Sequence, residues 1–374
     1  MKIDSVSENL VKLALYLNSK TPGLVSEIWI DESLVNKLKT EFPSDSNKNE
    51  LIKLTSKQIN SITDTRRKDY LTEILHSLTH QLDNPTSNYL DFSENVFGYK
   101  IDRVTETEIK SIENSITELE NQIGLKREEI FKKYSIKKEN YLSTFTAEVD
   151  KVKNNIPKYL LEFPDAGFIF ETTTQKPWGA FNTHTKPFAS KLTINLDTSF
   201  TQLDFFSLAS HEAYGGHHTE LSNKDILLTD EGRGEHGFVL TYSPQAFISE
   251  GIAEGMLTIL DIIEKNDPDK IIAWQYNRLS FALQNLAAFL FFEDKLTKEE
   301  IDVILKKYYV SDKTREGILG FSTDTLYGKY SPIYFSAYNF ISNLFLKTKN
   351  KDDLIKTVFT QPCTPNILIK EFGD

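Results

Sequence analysis

A single cysteine, Cys363, among 374 residues rules out an intramolecular disulfide framework and suits a reducing compartment. One thiol alone reads as a small buried hydrophobe, not as a nucleophile. Positive charge is in deficit: 43 Lys and Arg against 54 Asp and Glu leave a formal net charge of −11, which as a whole repels nucleic acid and anionic membranes. Long hydrophobic runs are missing as well. No stretch reaches the ~18 uninterrupted apolar residues of a membrane span. The longest candidate, LSFALQNLAAFLFF at 279–292, carries Gln284 and Asn285 and reads as a buried helix. The first twenty residues hold a short apolar patch broken by Lys12, with no small-residue cleavage site, so an amphipathic helix is expected there and not a signal peptide. From these absences we expect a cytoplasmic protein that binds neither nucleic acid nor membrane; oligomeric state is left open.

What is present suits a globular chain. With 39% hydrophobic and 26% charged residues, 374 residues can bury a substantial core in one large domain or two ordinary ones. Residues 1–100 read as several helices, among them SENLVKLALYL and RRKDYLTEILHSLTHQL, with polar loops at 43–49 and 83–88. His76 and His80 are one helical turn apart, but no carboxylate motif accompanies them, and a surface or packing role is expected. Between 104 and 157, Ile109, Ile112, Ile116, Leu119 and Ile123 form a seam of alternating three- and four-residue steps. Gly124 interrupts it, and a second apolar face follows with Phe145, Val149, Val152 and Ile156 before Pro157. The expectation is a long antiparallel helical hairpin, its lysine-rich middle a solvated face. A helical N-terminal region, 1–157, is thus expected to precede a second region, 158–374.

That second region is mixed. GFIFETTT and KLTINLDT read as short strands, and the latter is a candidate edge strand for pairing with an extended substrate. A helix is expected from the Ser/Thr cluster at 198–201, another behind Ser243 and Pro244, and one opening with a capping box from Thr297 to Glu300.

The chemistry gathers in ASHEAYGGHHTEL, residues 209–221, which holds three of the seven histidines. A hydrolytic zinc site needs about three protein ligands, an open position for water and a base beside it. In the HExxH motif one helical turn places both histidines on one face and the glutamate beside the metal. Here the next histidine comes two residues late. On an unbroken helix His217 would lie about 120° around the axis from His211, and His218 nearly in phase but roughly 10 Å further along. Neither can share an ion with His211 on a regular helix, but Gly215 and Gly216 weaken it, so that two extra residues could loop out and return a histidine to the face of His211. Further donors come from SEGIAEG, where Glu250 and Glu254 are one turn apart; one could ligate while the other orients a histidine, in either assignment. His236, in DEGRGEHGF, is one more candidate.

HEAYGGHHTEL resembles the HExxPGHHxQ motif of the bacterial and archaeal domain-of-unknown-function 885 family, and FISEGIAEG is similar to its EGWA segment. KLTINLDTSFTQLDFFSLAS resembles the family's strand leading into the histidine helix. RLSFALQNLAAFLFFEDKLTKEEIDVIL is similar to its helix pair, and YSPIYFSAYNFISNLF to its late tyrosine segment. The likeness spans roughly 165–350. This chain departs from the pattern at Gly215 for Pro, Glu220 for Gln and Ile252 for Trp.

The resemblance implies a mainly α, zincin-like metallohydrolase with a small β element beside the active-site helix, and a peptidase of the glutamate-zincin type. Carried over by residue, His211, His217 and Glu250 would hold Zn²⁺, Glu212 would be the base, and Tyr334 is singled out among Tyr327, Tyr330, Tyr334 and Tyr338 as an oxyanion donor. The substrate would be a peptide or another small molecule, with Arg233 and Arg278 available for a terminal carboxylate. Rival readings are a metallohydrolase acting on esters or non-peptide amides, and a helical interaction protein whose metal is structural.

Overall fold

The computed structural model describes residues 2–42, 47–84, 88–176, 178–264 and 267–373. The polar loops expected at 43–49 and 83–88 fall partly outside them. The fold is mainly helical with two small sheets, as the periodicity implies. Among the described residues no helix is long and apolar enough to cross a membrane.

The helix starts follow the chemistry of the chain. Ser243 caps the helix Pro244–Ile259 by accepting from the Ala246 amide, with proline at the first turn. Thr297 and Glu300 form the expected capping box on Lys298–Leu305. Thr201, with Asp204, does the same for Gln202–Glu212.

Two features differ from expectation. The segment 104–157 is not a hairpin. Its first arm, Glu106–Ile123, lies along the helix Pro268–Phe292, where Ile109, Ile112 and Ile116 join Ile272, Leu279 and Leu283 in one apolar cluster. Its last arm, Tyr141–Asn155, packs along Gln202–Glu212 and places Phe145, Val149 and Val152 in the main core. The seam marks a buried face correctly, but a face does not name its partner.

The second correction concerns the sheet. Strands β2 (Phe168–Thr173), β3 (Ala180–Lys186) and β4 (Ala189–Asn195) are ordered β2-β4-β3, with β2 parallel and β3 antiparallel to β4. KLTINLDT is therefore the central strand, paired on both sides, and cannot add a substrate strand. Leu192 and Ile194, fully buried, explain its place. The edge beside the histidine helices is β3. A separate two-stranded ribbon joins β1 (Val25–Ile28) to β5 (Phe238–Leu240), antiparallel, with Glu27 opposite Val239. It ties the start of the chain to the segment between the histidine helices and Pro244–Ile259. The main core likewise draws on both sides of residue 157.

Candidate metal centre

His211 stands in the last turn of the helix Gln202–Glu212, whose end is pinned by the Asn182 side-chain amide donating to the Glu212 carbonyl. After four intervening residues a new helix, His217–Glu231, begins. The break between them is made of glycine. Gly215 has φ +92°, the left-handed region, and its amide donates to Thr219 Oγ1 at 3.1 Å. Gly216 is the cap of the second helix, and its carbonyl accepts from the Glu220 amide at 3.0 Å. The inserted residues do not loop out of one helix. They end it and restart it at a new angle, and this brings the His217 ring edge-on to the His211 ring at a centroid distance of 4.7 Å.

The two Nε2 atoms lie 3.2 Å apart. Glu250, from the helix Pro244–Ile259, brings Oε2 to 3.4 Å from His211 Nε2 and Oε1 to 3.7 Å from His217 Nε2. Glu250 Oε2 is buried without a hydrogen-bond partner, and Oε1 accepts from the Tyr330 hydroxyl at 2.5 Å. Tetrahedral ligands at ~2.0–2.2 Å from an ion stand about 3.3–3.5 Å from one another. The two nitrogens, with the Glu250 carboxylate 3.4 Å from one through Oε2 and 3.7 Å from the other through Oε1, could therefore hold a divalent cation between them. Glu212 is close as well: ligand atoms of His211, Glu212 and His217 all fall within 4.8 Å of one another. Glu250 comes nearer both nitrogens and has an unmatched oxygen. Glu212 is left beside the cation position.

Each histidine is oriented from behind. His211 Nδ1 donates to Glu254 Oε1 at 2.9 Å, so Glu254 orients and Glu250 faces the Nε2 pair. His217 Nδ1 meets Ser249 Oγ at 3.0 Å; Ser249 donates to Glu220 Oε2 at 2.5 Å, and Glu220 Oε1 accepts from the buried Lys224 ammonium at 2.5 Å. The sequence marks Glu220 only as a departure from the family motif and gives Lys224 and Ser249 no role. The i,i+4 spacing of Glu220 and Lys224 and the position of Ser249 beside Glu250 were the available signals.

His218 is committed elsewhere. Its Nδ1 meets Ser190 Oγ at 2.9 Å and its Nε2 meets Asp165 Oδ1 at 3.4 Å. Ser190 continues to His184, which pairs with Asp225 at 2.6 Å, and Asp225 also accepts from the Trp29 indole. Ser190, His184 and Asp225 have the residue types of a catalytic triad, but all are sealed from solvent and the chain is internal bracing. His236 is buried and stacked on Tyr70 at 5.7 Å, away from the cluster. His76 faces Asn95 and His80 faces Asp91.

Burial favours neutral groups, and the cluster answers with opposing charges. Burial works against the His211 imidazolium, but Glu254, Glu212 and Glu250 outweigh it and carry its pKa up to about 10. Burial lowers the pKa of His217, against the pull of Glu250, and so favours the neutral ring. Burial raises those of Glu212 and Glu250.

The cluster opens on two spaces. One is a cavity of ≈ 110 Å³ bounded by the β1–β5 ribbon, the edge of β3 and the helices, with Tyr330 and Tyr334 on its wall. The other is a larger cleft of ≈ 410 Å³ that shares His211, Glu212 and Tyr334 and is faced by Trp178, Trp274 and Phe281. Tyr334 stacks on Phe281 at 5.1 Å and lies 6.3 Å from the His211 ring. Arg233 is held by Asp64 and Glu231, and Arg278 lies over Trp274 and Tyr338; neither lines these spaces.

No protein-family model and no curated protein matches the chain. Among solved structures it is similar to the putative lipoprotein from Colwellia psychrerythraea, with a TM-score of 0.57 over 95% of this chain and 68% of that one at 14% identity. At that identity the likeness concerns the fold alone.

Proposed function

We propose that the protein is a zinc-dependent peptidase in which His211, His217 and Glu250 hold the cation, and that it belongs with the domain-of-unknown-function 885 proteins its motifs resemble. The observation that carries this reading is the pair of facing Nε2 atoms with the Glu250 carboxylate beside both, its Oε2 unmatched. Two further observations favour catalysis over a structural ion. Both histidines that could close a fourth position, His218 and His236, face other partners. Glu212 stands beside the cation position and opens on both spaces.

A zinc ion bound there would polarise a water molecule and a substrate carbonyl. Glu212, its pKa raised by burial against the pull of His211, takes the proton of the attacking water and hands it to the departing nitrogen. Tyr334 makes no hydrogen bond among the described residues and borders both spaces, so its hydroxyl is free to donate to the developing oxyanion. Tyr330 shares the wall, but its proton is held by Glu250. The aromatic cleft supplies apolar surface for side chains of a peptide. The lone buried thiol and acidic surface fit a cytoplasmic enzyme that works on peptides, not on nucleic acid or membranes.

The test is elemental analysis of protein purified without added metal or chelator, joined to cleavage of a mixed peptide library by the same preparation. About one zinc per chain with new peptide ends supports the reading. One tightly held zinc with no cleavage points to a structural ion, and no zinc even when offered overturns the site.

A further inference from the structure

On the wall of the smaller cavity, opposite the helices, is a carboxylate that the chemistry above does not use. Glu27 projects from β1 and is fixed by one bond, from the His184 amide of β3 to its Oε2 at 2.5 Å. Its Oε1 has no hydrogen-bond partner among the described residues and is not among the sealed polar atoms, so it faces the cavity. Among the described residues no lysine, arginine or histidine side chain pairs with it. Because β3 offers its His184 amide to this side chain and not to a backbone carbonyl, the position of the carboxylate is set by the sheet edge. Burial, opposed by the His184 amide and aided by the like charge of Glu212, pushes its pKa up to about 8, so with no counter-ion the carboxyl holds its proton at neutral pH and ionises when a cation comes to pair with it.

The rest of the wall narrows what could complete it. The residues around the smaller cavity include Glu27, Glu212 and Glu250 together with His211 and His217, and no lysine or arginine, so away from the histidine pair the wall is acidic. A substrate carboxylate would be repelled there, and an ammonium group attracted. The space is small, enough for a short group, while the cleft on the other side of His211 and Glu212 is larger and aromatic. Arg127 borders that larger cleft, but its guanidinium donates to the Tyr309 carbonyl and lies over Tyr276. A blind acidic end and a roomy apolar end, with the hydrolytic cluster between, is the layout for a chain that enters amino terminus first.

We propose that Glu27 is a specificity-determining residue that receives the free α-amino group of the substrate, so that the enzyme removes residues from peptide amino termini. The proposal rests on the peptidase reading of the same cluster and adds the substrate class. Glu27 forms a charge-assisted hydrogen bond to the ammonium group and sets the first peptide carbonyl over the cluster. It takes no part in bond breaking, so it acts on binding more than on turnover.

The experiment uses the zinc-loaded full chain and the Glu27→Gln and Glu27→Asp variants, with leucine p-nitroanilide and its N-acetyl derivative as substrates and leucinamide as a calorimetric ligand. Glu27→Gln keeps an oxygen for the His184 amide and so leaves the strand contact in place. Wild type is expected to prefer the free amine, and Glu27→Gln to raise KM for it by about 10- to 100-fold with a smaller change in kcat, the cost of one hydrogen bond to a charged group. Leucinamide binding should weaken by the same factor, zinc content should not change, and Glu27→Asp should recover part of the loss. Equal cleavage of both substrates by wild type, or unchanged selectivity and leucinamide affinity in Glu27→Gln, overturns the assignment while leaving the peptidase reading standing. Cleavage of neither substrate nor any library peptide overturns the peptidase reading, and calorimetry then still decides whether an amine binds at Glu27.

Discussion

Gly216 presses on the backbone of His211: a Cβ built on it would stand 1.8 Å from the His211 carbonyl oxygen. No side chain fits there, so the residue between the two helices is glycine by necessity. The Gly216→Ala substitution is expected to force the second helix away. Backbone strain and overpacking of this kind cost about 1–3 kcal/mol. Because His217 is the next residue, zinc affinity should fall along with thermal stability, as equilibrium dialysis and calorimetric unfolding would show. Unchanged affinity would mean that the break does not set the ligand geometry.

Glu212→Gln removes a base without removing a proposed ligand. Zinc stoichiometry should stay the same, while kcat falls by about 10²- to 10⁴-fold, the range of general acid–base contributions. Retained turnover would exclude Glu212 from proton transfer.

Glu254→Ala and Ser249→Ala should each weaken zinc without abolishing it. Losing the group that orients a ligating histidine typically costs about 10- to 100-fold in metal affinity. Competition with a chromophoric chelator measures this directly, and affinities equal to wild type would show that the rings are held by packing alone.

His218→Ala separates the two neighbouring histidines. His218 braces the buried chain through Ser190 and Asp165, so its loss should leave zinc content intact and lower stability by about 2–4 kcal/mol, from an emptied site and stranded polar partners. Loss of zinc with retained stability would reverse the assignment of His217 and His218.

The acidic wall has a signature in pH. Glu27 has an ordinary value of 4.5 and is carried up to about 8 in the folded, metal-free protein. The unfolded chain releases this proton near pH 4.5, whereas the folded chain keeps it until about 8. The folded state thus binds more protons in between, and stability falls as pH rises across that window. Glu27→Gln should flatten the decline, a difference on the order of 2 kcal/mol after discounting ~1.4 kcal/mol per unit for the water that reaches the cavity. Denaturant melts of the metal-free proteins at pH 5 and pH 8 measure it.

Local chemistry was readable in advance where it acts locally. Ser243 before Pro244 and Thr297 before Glu300 announce helix starts because the cap and its amide are three residues apart. His211, Glu212 and the Gly-Gly pair are visible as a cluster for the same reason. The hairpin expectation failed because the seam of Ile109, Ile112 and Ile116 is equally satisfied by any apolar face, and the one it meets belongs to Ile272 and Leu279, over 150 residues away. The placement of KLTINLDT failed because alternation reports burial of a face, not whether neighbours lie on one side or both. Glu27 was illegible: one carboxylate in a short strand becomes part of a cavity only through pairing with Val239 across more than 200 residues.

The ribbon that joins Val25–Ile28 to Phe238–Leu240 divides responsibility along the chain. Every proposed ligand and the base lie between residues 211 and 250, while the wall that would choose the substrate comes from the first thirty residues. Changes near the amino terminus can therefore alter which molecules are accepted without touching the hydrolytic apparatus. Chemistry and choice of substrate are then open to variation independently, held in register by a few backbone hydrogen bonds.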